Sequence, residues 1–483
     1  MRTGRVGWLL AALALGAMAC GSGRPRPGGG GGRGDGGPGS DGGGIGEDGG
    51  PPPPPPGGYA VFRGTVWAPG NAPGMVPAGQ EIPVAGAVVE VVASRPAAIP
   101  EGVYCEPCQE ASAGAVTTDA KGNFVLGTLL PGDYWLVIRK GQFRLERQVT
   151  IAEGEERALP AEWTTLPSEH DPANGQWVPR IAVATGDYDE LEDVLGKMGI
   201  GGVSSEGQWR SGPGADRIDF YTNGGRTDVP VAGTFGELVR DRARLMQYHI
   251  IFVPCSGDSH TSALRDEQVL RNLQAYVAEG GKLYVTDWSG EWHDNVFPAF
   301  VRLADEAGFG GDQVDTPPEA FDPGMFGTLD DDSWNPSRFG TADGDSYDAD
   351  DAEAEDEMLR TWLDGQQAPD PEGSGAVGTV DATNFPAVDN WNTILELPDV
   401  QVGVGDDGLP AYERAKAWVI GTSPLASGKK PMTVTYEPTG CGRVLFTTYH
   451  TTGRTHVGLT PQERILLYLI MEIGVCKSGP ILR

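Results

Sequence analysis

The chain has 483 residues, room for two or three domains, and carries 67 acidic side chains against 36 basic ones for a formal charge of −31. That balance excludes nucleic acid as a partner and suits a soluble surface or cation binding. The 73 glycines and 39 prolines crowd toward the N-terminal part.

Arg2 and Arg5 precede an apolar run, Trp8–Leu15, that is too short to span a bilayer. Ala17-Met18-Ala19 is a small-x-small cleavage pattern, and Cys20 follows directly. The arrangement resembles a bacterial lipoprotein signal. It implies a signal peptide over residues 1–19, lipidation of Cys20 and anchorage in the cell envelope, at the outer membrane. Ordinary cleavage after Ala19 would instead release the protein. Residues 20–58, GRPRPGGGGGRGDGG and a run of six prolines among them, lack the apolar side chains to build a core and read as a disordered tether.

From residue 59 the chain alternates apolar and polar. Strands are predicted at Val61–Trp67, Val84–Ala93, Ala115–Thr118, Asn123–Leu126, Tyr134–Lys140 and Arg144–Ile151. Turns fall at Asp119–Gly122 and Leu130–Asp133. Short strands at this spacing predict a β-sandwich over residues 59–163. PVAGAVVEV at Pro83–Val91 and TTDAKGNFVLGTLLPGDYWLVI at Thr117–Ile138 resemble the carboxypeptidase regulatory-like, or transthyretin-like, sandwich. The resemblance implies an accessory or spacer module, in some cases sugar-binding. Cys105 and Cys108 lie in a loop insert, and the CxxC spacing of an exported domain favours a local disulfide over a redox or zinc pair.

Residues 164–176 read as a linker, and a second unit spans 177–483. Strands are predicted at Trp177–Ala184, Arg217–Tyr221, His249–Pro254, Lys282–Thr286, Lys416–Gly421, Met432–Tyr436 and Arg443–Tyr449. Helical spacing marks Tyr188–Met198, Phe235–Met246, Asp266–Glu279 and Trp292–Ala307. A closing helix is predicted at Pro461–Ile473, with Thr460 as its cap. The unit His249–Thr286 is strand, helix, Gly-Gly stop, strand, which implies a right-handed crossover and parallel strands. The expected fold is multidomain: an N-terminal β-sandwich, then a C-terminal doubly wound α/β three-layer sandwich. Its sheet is largely parallel and carries a long acidic insertion at about 312–408.

HIIFVPCSG, LQAYVAEGGKLYVTDW and GRVLFTTYH, in that order, resemble the class I glutamine amidotransferase-like group, including trehalose-utilisation-like domains. The resemblance implies a nucleophilic Cys on the turn after Lys282–Thr286 and a His on a late strand. The turn carries Asp287-Trp288 instead, while His450 stands where the His belongs. The activity is therefore expected to be lost, and the protein is expected to be a non-catalytic envelope protein that recognises a glycan or protein ligand. The alternative is a hydrolase or transferase built on Cys255 or the Asp287–His293 cluster with His450. Ligand-binding residues are expected at the carboxyl ends of the strands: Asp187, Ser256, Asp258, His260, Trp288, Glu291 and His293. The 287–294 run also suits simple helix capping.

Cys441 and Cys476 read as a second disulfide. That leaves Cys255 as an odd thiol, either reactive or a small buried hydrophobe. No cofactor is expected. Asp343, Asp345 and Asp348 have the spacing of weak Ca²⁺ ligands, but no EF-hand loop fits, and a solvated acidic loop is the simpler reading.

Overall fold

The computed structural model describes residues 59–105, 114–225, 228–256, 261–264, 266–304, 346–371, 376–404, 409–438, 440–451 and 455–473. Cys20, Cys108, Asp258, His260, Asp343, Asp345 and Cys476 lie outside them. The described chain is strand-rich, with several sheets and few helices.

Two sheets form from the first hundred described residues. One is three-stranded, with Ala60–Thr65 between Asn123–Leu129 and Glu156–Ala158. The other is five-stranded and is built around the hairpin Gly132–Lys140 and Phe143–Ile151, paired along nine positions. Phe62, Phe124 and Leu126 of the first share a core with Leu136, Ile138 and Val149 of the second. The strand predicted at Trp177–Ala184 divides. Gln176–Trp177 pairs with Arg144 and Leu145 in the five-stranded sheet, and Ile181–Thr185 starts a new one. Residues 164–176 are not an open linker, because Thr164 and Leu166 are buried and Asp171 caps a short helical turn.

The largest sheet has ten strands. In chain order they are β1 (Ile181–Thr185), β2 (Ile218–Thr222), β3 (Val231–Thr234), β4 (Ile250–Val253), β5 (Lys282–Thr286), β6 (Tyr347–Ala354), β7 (Phe385–Asn390), β8 (Lys416–Thr422), β9 (Lys429–Tyr436) and β10 (Arg443–Thr447). Across the sheet they run β3-β2-β1-β4-β5-β10-β9-β8-β6-β7. The first six in that order pair parallel, and the remaining pairs are antiparallel. Every residue of β1, β4 and β5 is buried, as continuous apolar runs in parallel strands require.

Among the described residues the longer helices that attend this sheet are α1 (Leu191–Lys197), α2 (Phe235–Arg240), α3 (Glu267–Ala278), α4 (Glu357–Leu363) and α5 (Pro461–Ile473). Alternate strand residues point to opposite faces. Ile181, Val183, Ile250, Phe252 and Leu445 share a cluster with α1, α4, α5 and the N-terminal sheets. Ala182, Ile251, Val253, Leu283, Val285 and Phe446 pack with α2 and α3. Asp266 caps α3 through the Gln268 amide. At α5 the Thr460 hydroxyl accepts the Glu463 amide at 3.3 Å, and Glu463 Oε2 accepts the Thr460 amide at 2.8 Å, a reciprocal capping box.

The helix predicted at Trp292–Ala307 is one turn, Glu291–Asp294. Pro298 removes an amide the next turn would need, and Val296, Phe297 and Phe300 reach the core from irregular chain. The helix predicted at Phe235–Met246 breaks at Asp241, whose side chain caps a second short turn, Arg242–Leu245. The acidic insertion is not merely a solvated loop: β6 and β7 come from it and extend the sheet. Asp348, offered as a Ca²⁺ ligand, is an exposed position on β6 whose carboxylate accepts the Asp389 amide at 2.9 Å.

The expected pairs Cys105–Cys108 and Cys441–Cys476 are also corrected. Cys105 is bonded to Cys441 across 336 residues, with Cα atoms 5.5 Å apart. The cause is the course of residues 100–105. The Val103 amide donates to Met246 O at 2.9 Å, and His249 Nε2 lies 2.9 Å from Pro100 O. This carries Cys105 to the end of α3, where the Cys441 amide donates to Ala278 O at 3.3 Å. On the chain-entropy model so long a closure is worth about 6 kcal/mol.

Candidate functional site

The carboxyl ends of the parallel strands converge on Asp287. It follows β5 directly and has φ of 46°, in the left-handed region where a side chain other than glycine is uncommon. A short 3₁₀ segment, Asp287–Gly290, and the turn Glu291–Asp294 follow. Strand, left-handed residue and helical turn make an elbow that pushes residue 287 out of the strand direction. Ser289 donates to Pro254 O at 2.7 Å and Asn392 Nδ2 to Asp287 O at 2.7 Å, which hold the elbow on both sides.

Three chemically competent side chains meet there. One donor atom each from Cys255, Asp287 and His450 lies within 4.8 Å of the other two. Their residues are 1 %, 0 % and 7 % exposed. His450 Nε2 is 3.9 Å from Asp287 Oδ2. Asp287 Oδ1 accepts the Trp391 amide at 3.0 Å, whereas Oδ2 meets no N–H or hydroxyl donor among the described residues, and the Cys255 thiol hydrogen-bonds to the carboxyl. His450 Nδ1 lies 2.9 Å from Thr451 O. A carbonyl only accepts, so Nδ1 carries the proton and Nε2 faces Asp287.

Beneath them is Asp189, wholly buried. It accepts Thr286 Oγ1 at 2.7 Å and the Thr451 hydroxyl, while Thr286 Oγ1 also accepts the Cys255 amide at 2.8 Å. The approach is close: a β carbon at Gly186 would collide with the Cys255 carbonyl. Burial pushes the Asp287 carboxyl well above the ordinary range; the Trp391 amide opposes this, and the charge of Asp189 adds to it. Burial likewise raises the Cys255 thiol, with the Asp287 and Asp189 charges adding to the effect and a hydrogen bond from the Trp288 amide opposing it.

Two of the other expected ligand residues, Asp187 and Ser256, meet each other. Asp187 is exposed and lies 3.3 Å from Ser256 Oγ, which is buried and donates to Asn223 O. Trp288 is half-buried, edge-on to Trp391 with ring centroids 5.3 Å apart. Glu291 is buried in the turn after the elbow. His293 is a correction. It lies in the core against Phe446, ring centroids 4.2 Å apart, with Nδ1 at 3.1 Å from the Tyr436 hydroxyl, and burial pulls its pKa down to about 3. It is a core histidine, not a ligand residue.

Sequence reasoning missed Asp189, Thr286, Thr451, Trp391 and Asn392. The position of Asp189 just past β1 was a usable signal. Trp391 and Asn392 belong to the acidic insertion.

No protein-family model matches this chain, and no curated protein matches it. Among solved structures, the minor pilin GBS52 of the Gram-positive pathogen Streptococcus agalactiae is similar at 18 % identity and a TM-score of 0.15. The match covers 23 % of this chain and 45 % of the pilin, a likeness too slight to carry an argument.

Proposed function

We propose that the protein is an exported, lipid-anchored envelope protein that binds a glycan without transforming it. Its N-terminal unit is read as a regulatory-like β-sandwich. Its C-terminal unit is read as a doubly wound α/β scaffold of amidotransferase type with its nucleophile replaced. Six parallel strands, helices in both apolar clusters and the elbow at Asp287 support the second reading. The signal-like residues 1–20 support export.

The observation that carries glycan binding is a polar recess of about 500 Å³ on the hairpin of the five-stranded sheet. Asp133, Tyr134, Trp135, Gln148 and Thr150 line it. The Trp135 ring, with amide, hydroxyl and carboxylate groups around it, suits the alternating apolar and hydroxylated faces of a sugar. The elbow, by contrast, is a poor place for an ionised nucleophile, because burial disfavours the charged forms of both the Cys255 thiol and the Asp287 carboxyl. A glycan array with the full chain and with Trp135→Ala tests the reading. Binding that Trp135→Ala abolishes supports it, and an array with no signal overturns it.

One observation favours a hydrolase or transferase instead: Asp287 stands in the left-handed position of an elbow with His450 Nε2 at 3.9 Å. Turnover of ester or amide substrates that Asp287→Asn removes would establish that reading.

A further inference from the structure

We propose that Cys255, Asp287 and His450 form a zinc site at the carboxyl edge of the sheet. The proposal does not depend on the glycan reading. It starts from geometry: Asp287 Oδ2 is fully buried and meets no N–H or hydroxyl donor among the described residues, His450 Nε2 lies 3.9 Å from it, and the Cys255 sulfur completes a trio of donor atoms within 4.8 Å of one another. A sulfur, a carboxylate oxygen and an imidazole nitrogen gathered this closely in a buried site are donor atoms that one transition-metal ion can take together. The buried Asp189 carboxylate nearby adds to the negative potential.

Each of the three side chains is also braced on the side away from the shared space. The Trp288 amide bonds to the Cys255 sulfur, the Trp391 amide to Asp287 Oδ1, and His450 Nδ1–H to Thr451 O. Outer partners of this kind orient metal ligands and select the histidine tautomer. The atoms left facing inward are one sulfur, one carboxylate oxygen and one imidazole nitrogen.

That donor set selects the ion. Ca²⁺ and Mg²⁺ take oxygen ligands, whereas Zn²⁺ accepts thiolate, imidazole and carboxylate together. Tetrahedral zinc with bonds of about 2.0–2.3 Å sets its donor atoms roughly 3.3–3.8 Å apart. The His450–Asp287 separation is 3.9 Å and no donor pair exceeds 4.8 Å, so a small inward movement completes the site. Binding releases the thiol proton to solvent, and the thiolate and the Asp287 carboxylate then balance the charge of the ion. Three protein ligands leave a fourth position for water or an anionic oxygen.

The test uses the untagged full chain, stripped with chelator and dialysed against Zn²⁺ and, separately, Co²⁺. Metal analysis should find about one tightly held zinc per chain. The Co²⁺ form should show a thiolate-to-cobalt charge-transfer band in the near ultraviolet. Asp287→Asn and His450→Gln should weaken zinc binding by about tenfold or more. Cys255→Ser should abolish the charge-transfer band, and Glu153→Gln, in an exposed turn of the N-terminal sheets, should change neither readout. Circular dichroism and melting of the metal-free variants separate lost binding from lost folding. Absence of tight zinc, or zinc and cobalt spectra unaltered by Cys255→Ser, Asp287→Asn and His450→Gln in folded protein, overturns the proposal.

Discussion

Glu463 and Asp287 are both carboxylates with almost no exposed surface, one in the first turn of α5 and the other just past β5. Around Glu463 the fold supplies everything a buried anion needs. Lys197 Nζ lies 3.0 Å from Oε1, and His456 Nε2 and the Thr460 amide lie 2.8 Å from Oε2. Burial pushes this carboxyl up, but Lys197 and His456 outweigh it and hold the pKa at about 2. Around Asp287 there is a backbone amide on one oxygen, and a thiol and an imidazole near the other. The first arrangement joins α5 to α1 and to the chain before it. The second leaves Asp287 Oδ2 without an N–H or hydroxyl donor among the described residues.

Removing one partner from the first region should have the largest effect. Glu463→Gln leaves Lys197 buried without its anion and should cost about 3–5 kcal/mol in urea unfolding. A cost below about 1 kcal/mol would mean that the pair is no more than a surface-type contact.

Acid should reach the same group next. The Glu463 pKa is depressed from 4.5 to about 2, so its stabilisation is complete above the unfolded value and is lost as pH falls toward 2. The loss over that window should be on the order of 3 kcal/mol, and it should vanish in Glu463→Gln. Unfolding free energies measured from pH 5 to pH 2 would show it.

Asp287 carries the opposite sign. Its carboxyl is raised, so in metal-free protein it weakens the fold as pH rises past its unfolded value. Asp287→Asn should therefore change metal-free stability at neutral pH by no more than about 1 kcal/mol, and toward greater stability. A loss as large as that of Glu463→Gln would erase the distinction between the two regions. The smallest effect is chemical. Cys255 in the folded, metal-free chain should resist iodoacetamide and react once urea is added, read by peptide mass. Ready labelling of the native chain would contradict its burial.

The strands at 250–253 and 282–286, the helix at 267–278, and the capped helix at 461–473 were legible in the sequence. Each rests on local signals: apolar runs, helical spacing, a capping residue, a Gly-Gly stop. Cys255, Asp287 and His450 were legible as residues at strand ends. The core role of His293 was not, since one polar-aromatic run from 287 to 294 holds both the elbow and a buried ring. Nor was the break at Pro298 weighed against the apolar spacing on either side of it.

By itself the sequence determined the elements whose stability is local, and the sites where polar residues end apolar strands. Tertiary structure alone decided the partners. Cys105 meets Cys441 across 336 residues because residues 100–105 run along Met246 and His249. Trp391 meets Asp287 because the insertion returns to the sheet. Such contacts depend on where distant segments cross, and no periodicity along the chain encodes the crossing.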